Sequence, residues 1–190
     1  MRLAEPLCGA AFGLRSPQDG DAAFTVQLRS DPDVTRYLHR IPADVATQEH
    51  WEAEALARDD DLPLIVFRTT SGAPAGTAGI YRIDHARGTA EWGRWVITHG
   101  SLAAVESVLL ILRLAFEELA LQTLYARTLA RNSGALSFHD GLGMERTSEG
   151  HMLVDGADEE YVEHVVTAVQ APALLRRLEP LAQRIARHLS

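Results

Sequence analysis

One stretch limits the folds open to this chain more than any other: TAEWGRWVITHGSLAAVESVLLILRLAFEEL, from Thr89 to Leu119. It reads as a strand, a short polar turn and a long amphipathic helix in immediate succession. Alternation along the strand, Thr89 to Ile97, assigns Glu91, Gly93, Trp95 and Ile97 to one face and Ala90, Trp92, Arg94 and Val96 to the other. Thr98-His99-Gly100-Ser101 is the turn. Beyond it Val105, Val108, Leu109, Leu112, Ala115, Phe116 and Leu119 recur every three or four residues, the spacing of one buried helical stripe. A strand that passes through small residues into a helix N-terminus is suited to hold an anion. The first N–H groups of the helix have no partner inside it, and the macrodipole adds partial positive charge there.

The rest of the composition narrows the chemistry. At 190 residues, with 46% hydrophobic and 23% charged side chains, the chain is sized for one domain, 1–190, in which 173–190 is a C-terminal helix. Its longest apolar run, Val105 to Ala120, is broken by Glu106, Arg113, Glu117 and Glu118, so no membrane span is expected. The opening MRLAEPLCGAAFGLR is too acidic and too weakly apolar for a secretory signal, which makes the expected location cytoplasmic. Cys8 is the only cysteine, which excludes an internal disulfide and a multi-cysteine zinc site. There is no lysine, so P-loop and Schiff-base chemistries have no residue to carry them. The eight histidines are scattered without ligand spacing, and no metal is expected. A net charge of −8 argues against nucleic-acid partners. It leaves room for a small anion, which a helix N-terminus and a few arginines can hold.

In chain order, Phe12 to Arg15 reads as a first strand. Ser16 is placed to cap a helix that has Pro17 at its first position and runs to about Leu28. Val34 to Leu38 reads as a helical turn. A second helix spans roughly Asp44 to Arg58, with Val45, Trp51, Ala55 and Leu56 on its buried side. Leu62–Thr69, Gly76–Asp84 and the central strand make an antiparallel meander, with a bulge or close approach at Gly79. Thr123–Leu129 is the next strand and Ser133–Gly141 a short helix ended by glycine. Met144–Val154 and Tyr161–Val169 pair around Asp155-Gly156. Ala173–Leu189 is an amphipathic helix interrupted by Pro180, packed on the sheet or on a second copy in a homodimer. The class is α+β, with one right-handed parallel crossover from the central strand to Thr123–Leu129.

This order, with the residues at and after the crossover, resembles the GNAT superfamily of acyl-CoA N-acyltransferases from Phe12 to about Val169. The resemblance implies a mostly antiparallel sheet whose two central strands splay apart, with acetyl-CoA as co-substrate in the gap. Asn132-Ser-Gly-Ala-Leu-Ser-Phe138-His139-Asp-Gly-Leu-Gly-Met144 carries the family's asparagine-opened short helix, with His139 where a tyrosine is common. His99-Gly100-Ser101-Leu102-Ala103-Ala104 falls on the pyrophosphate turn, with His99 in place of arginine and Leu102 in place of glycine. The cofactor contacts implied are Trp95, Val96 and Ile97 along pantetheine, this turn along pyrophosphate, and Asn132 and Phe138 across the gap.

Acetyl transfer to an amine needs a base, because alkylamines are mostly protonated at neutral pH. It also needs a donor for the leaving thiolate and an N–H for the oxyanion. Glu91 is the candidate base, acting through water; its alternative is a strand glutamate paired with Arg82 or Arg94. His139 is the candidate acid; its alternative is a surface histidine beside Asp140. A backbone N–H at Val96 or Ile97 is placed for the oxyanion, and Asn132 for the pantetheine amides or simply as a helix cap.

Val26 to Leu38 and the helix holding Trp51 also look like the acceptor side of nucleotide-linked amino-sugar acetyltransferases, a layout that ribosomal-protein N-terminal acetyltransferases share. That makes Arg29, Arg36, Tyr37 and Trp51 the candidate substrate contacts. Two functions stand: an N-acetyltransferase acting on a small-molecule amine, or a non-catalytic module of the same fold that binds acyl-CoA or a protein.

Overall fold

The computed structural model describes residues 1–189, with Ser190 and the side chains of Asp33 and Val34 outside the described residues. In chain order the elements are β1 (Leu7–Cys8), β2 (Phe12–Arg15), α1 (Asp21–Arg29), α2 (Pro32–Thr35), α3 (Val45–Ala57), β3 (Asp61–Arg68), β4 (Pro74–Asp84) and β5 (Thr89–Ile97). Then come α4 (Ala103–Arg113), which runs on as a π-helical turn over Leu114–Glu118, and β6 (Thr123–Leu129). The chain closes with α5 (Ser133–Leu142), β7 (Glu145–Val154), β8 (Ala157–Thr167) and α6 (Ala171–Leu189).

All eight strands join one sheet in the order β1-β2-β3-β4-β5-β6-β8-β7. Only β5 and β6 run parallel, as the α4 crossover requires. Strand β8 turns back at Asp155-Gly156, both with positive φ, and slots between β6 and β7. A two-residue turn of that hand matches the twist of the strands it joins.

Helix α4 is buried on more than the expected stripe: Leu110 and Ile111 are as enclosed as Leu109 and Leu112. It packs on β2 on one side and α6 on the other, so little of its circumference meets water. Inside this apolar setting sits Glu106, 1% exposed, accepting N–H bonds from Ala10, Ala11 and Phe12. That buried carboxylate fixes the turn between β1 and β2 to the central helix.

Four expectations shift. Helix α1 starts at Asp21, not Pro17: Ser16 Oγ accepts from Leu3 N at 2.9 Å, while Gly20 takes the N-cap at φ 91°. On α3 the buried residues are Gln48, Glu52 and Ala55, whereas Val45 and Trp51 stand 37% and 38% exposed. The inner side of α3 meets a cavity, and polar side chains face it. Helix α6 passes through Pro180 without a break, because Leu174, Leu178 and Ala182 bury their stripe on either side of it. It ends at Leu189, and the expected last residue, Ser190, lies outside the described residues. Finally, β8 starts at Ala157, four residues before Tyr161.

Candidate active site

Strands β5 and β6 pair only at Thr89–Thr123, Ala90–Leu124 and Glu91–Tyr125. From Trp92 onward β5 keeps β4 on one edge and no strand on the other, while β6 goes on pairing with β8 as far as Leu129. The two central strands do part, after Glu91. The free edge of β5 presents main-chain N–H and C=O groups to the gap, which an extended amide-bearing ligand can pair as an added strand would.

A second departure explains how β5 is shaped. Arg94 adopts φ 52°, and the ladder to β4 is irregular between Thr77 and Gly79. A left-handed residue in a strand makes a bulge that resets the alternation of faces. Arg94 accordingly joins Glu91 on the side of Tyr81, its guanidinium carbon 4.2 Å from that ring. Trp95 turns to the opposite face, 5.6 Å from Trp92, and gives Nε1–H to Ser107 Oγ on α4 at 3.0 Å. The simple alternation had placed both on the wrong side. Gly93 is required here, since a Cβ would fall 2.3 Å from the Tyr81 hydroxyl.

At the end of β5, Ser101 N–H bonds Thr98 O at 3.0 Å and Gly100 takes φ 77°, so the chain turns before α4. Leu102, the N-cap, makes no side-chain cap bond and is 42% exposed, so it does not plug the gap. Thr98 Oγ1 is buried with no partner, an unmet polar atom at the turn. His99 is exposed; Ala103 is buried and Ala104 half-buried. The free β5 edge, the open helix end and the orphaned hydroxyl fit the amide arm and phosphates of a coenzyme A ester.

Below the gap opens a cavity of about 780 Å³. Of the residues singled out by sequence, Arg29, Tyr37, Trp51, Glu91, Trp95, Asn132 and His139 line it. Arg36 does not; it borders a smaller hollow of about 370 Å³ with Arg40 and Arg131. Val96 and Ile97 lie in the β5–β4 ladder, and Phe138 stacks 5.0 Å from Trp95.

Glu91, 5% exposed, is the last β5 residue paired with β6. Its carboxylate accepts from Tyr81 Oη at 3.1 Å and Arg82 Nη1 at 2.7 Å, and Arg127 approaches to 3.6 Å. Burial first, then the charge of Glu91, raises the Tyr81 phenol well above its usual value and keeps it protonated. The pairing with Arg82 was an alternative weighed from sequence, and it coexists with a place in the cavity wall.

His139, 4% exposed, stands in α5 with its ring 5.2 Å from Trp92 and 5.1 Å from His164. Thr128 Oγ1 lies 3.4 Å from its Nδ1. Burial chiefly, and His164 next, push its pKa down to about 4. At neutral pH it is an uncharged imidazole. Asn132 caps α5, its Oδ1 accepting from Ala135 N at 3.2 Å.

Several wall residues escaped the sequence reading, Tyr81 and Arg127 among them, while Arg82 and Arg94 were read only as alternative partners of Glu91. The four come from three strands, and only register and the Arg94 bulge reveal that they meet. Glu52 lines the cavity from α3; it accepts from Gln48 Nε2 at 2.9 Å, and burial raises its pKa. The spacing Gln48-x-x-x-Glu52, one turn apart on a helix, was the available signal.

The fold has counterparts among solved structures. The fold matches a GCN5-related N-acetyltransferase from Brucella melitensis at 22% identity and TM-score 0.82, over 95% of this chain and 86% of that one. It matches FdhC, a nucleotide-linked sugar GNAT, at 23% identity and TM-score 0.76, over 90% and 94%. Spermidine N-acetyltransferase from Vibrio cholerae, solved with CoA and spermine, matches at 16% identity and TM-score 0.74, over 86% and 99%. At such identities these likenesses concern the fold alone. No curated protein matches the chain in sequence. A family model does: that of the GNAT acetyltransferase domain spans residues 12–145, and the chain belongs to that family.

Proposed function

We propose that the protein is an acetyl-CoA-dependent N-acetyltransferase that acts on a primary amine of a small molecule by direct attack in a ternary complex. The observation that carries this reading is the loss of β5–β6 pairing after Glu91, which leaves a free strand edge beside an open cavity whose wall mixes apolar side chains with Glu91, Arg127 and Asn132. When bound, acetyl-CoA supplies the thioester whose carbonyl carbon the amine attacks. Asn132 meets the amide arm through its Nδ2, a role its helix-cap bond through Oδ1 leaves free. The main chain at Val96 or Ile97 donates to the developing oxyanion. Glu91 takes the amine proton through water, and the paired arginines hold the carboxylate in place. His139, neutral at working pH, gives the departing sulfur an N–H hydrogen bond instead of serving as a charged proton store.

The sharper form of the proposal makes the acceptor an amino sugar, free or nucleotide-linked. A cavity of about 780 Å³ suits a ligand larger than a simple amine, and FdhC, a nucleotide-linked sugar GNAT, is among the proteins that share the fold. Calorimetry with acetyl-CoA, followed by thiol-release assays across amino sugars, polyamines and amino acids, tests both levels. Binding with release of free thiol in the presence of one amine class is the expected outcome. Absence of heat at millimolar acetyl-CoA rejects the transferase reading.

A further inference from the structure

Resting on that reading, we infer that the acceptor carries a negatively charged group, phosphate or carboxylate, and that Arg29 binds it from the α1 side of the cavity.

Four guanidinium groups line the cavity: Arg29, Arg82, Arg94 and Arg127. Three already have carboxylate partners. Arg82 holds Glu91 at 2.7 Å, Arg94 holds Asp61 at 2.6 Å, and Arg127 holds Glu163 at 3.1 Å. Arg29 differs. Among the described residues no carboxylate is ion-paired with it; its Nη2 donates to His39 O, and its Nε is buried without an acceptor. A buried donor of a charged group without a partner is costly, and charge-assisted bonds to an anion are what a guanidinium satisfies best. Burial first, then the nearby charge of Arg94, lowers the Arg29 pKa against a smaller opposite effect of Asp155, and an anion beside the guanidinium would favour its charged form.

The acids of the same wall complete the argument. Glu91 is held between Arg82 and Arg127. Glu52, the other cavity carboxylate, has no guanidinium partner among the described residues; it is held by Gln48 and Thr25, and burial favours its neutral form. A polycationic acceptor therefore meets one carboxylate already paired with two guanidinium groups and another already tied to Gln48 and Thr25. An anionic acceptor finds one arginine waiting. Besides Arg82 and Arg127, the charged or titratable groups that share the cavity wall with Arg29 include Arg94 and Glu91 from β5, Glu52 from α3, His39 from the loop before α3, His139 from α5 and His151 from β7, with Asp155 acting from beyond the wall.

Matched pairs of acceptors test the inference. Glucosamine 6-phosphate is compared with glucosamine, and 4-aminobutyrate with its amide, with spermidine alongside; each is followed by thiol release and by calorimetry on the free and the CoA-loaded protein. One anionic member should exceed its neutral partner at least tenfold in kcat/KM or affinity, and the pair that shows it separates phosphate from carboxylate. Arg29→Met should bring that ratio close to 1, while Arg29→Lys keeps part of it, with thermal melts confirming that both variants fold. Ratios near 1 in both pairs, preference for spermidine, or a preference that survives Arg29→Met overturns the inference and leaves the transferase reading standing. Failure of acetyl-CoA to bind rejects the transferase reading alone, since the calorimetric comparison on the free protein still decides the anion site.

Discussion

Arg94 gives Asp61 two hydrogen bonds, at 2.6 and 3.0 Å, with its guanidinium carbon 4.2 Å from the Tyr81 ring and 4.8 Å from the Trp51 ring. The pair ties the bulge of β5 to the start of β3 across β4. It also sets one wall of the cavity. Asp61→Asn keeps the shape and removes the charge, which leaves the guanidinium uncompensated. Loss of one member of such a pair should cost about 2–3 kcal/mol, at the lower end for a buried bridge because Arg94 keeps some water contact. Urea unfolding of the variant measures it.

Glu106 makes a second long-range tie, to the N–H groups of Ala11 and Phe12 at 2.9 and 2.8 Å. Glu106→Ala strands those donors inside the core and should destabilise the protein by roughly 3 kcal/mol. Gly9→Ala tests the same contact from the other side, since its Cβ would fall 2.3 Å from Glu106 Oε1. Both variants should lower the denaturation midpoint together, and a neutral Gly9→Ala would mean the turn has room to move.

Catalysis by Glu91 predicts that Glu91→Gln lowers kcat by about 10²–10⁴-fold, the usual yield of a general base. Acetyl-CoA affinity, read by calorimetry, should stay within a few-fold of the parent. Unchanged turnover would reduce Glu91 to a partner of Arg82 and Arg127.

His139 makes stability depend on pH in a defined window. Its folded pKa of about 4 lies below its ordinary value of 6.5, so the unfolded chain binds the proton more readily. The stabilisation is complete above pH 6.5, falls as pH drops toward 4, and changes little below that. The linkage amounts to roughly 3 kcal/mol across the window. Unfolding free energies of the parent and His139→Phe, measured from pH 7 to 4, should converge or cross by about that amount; parallel curves would exclude the effect.

How much of this was legible from the chain alone depends on the range of the interaction. The strand, turn and helix from Thr89 onward, the short helix opened by Asn132 and the β7–β8 turn at Asp155-Gly156 all follow from local pattern, and each stands where local pattern placed it. The faces of Arg94 and Trp95 did not follow. A single left-handed residue reverses alternation, and arginine carries no local mark of that conformation, unlike glycine. The buried side of α3 was likewise hidden. Gln48 and Glu52 read as a solvent face until a cavity lies opposite them. Arg29 was legible as a candidate, but that no carboxylate among the described residues is ion-paired with it emerges only when every other arginine of the wall is seen paired.

Three residue pairs, Thr89–Thr123, Ala90–Leu124 and Glu91–Tyr125, are all that stitch the first five strands to the last three within the sheet. Helix α4 packs across both halves, and the coenzyme proposed for the open end of the seam would add a second bridge between them. Ligand occupancy should then quiet amide exchange along β6 and the far end of β5 together, so that the helper molecule of the reaction also finishes the architecture.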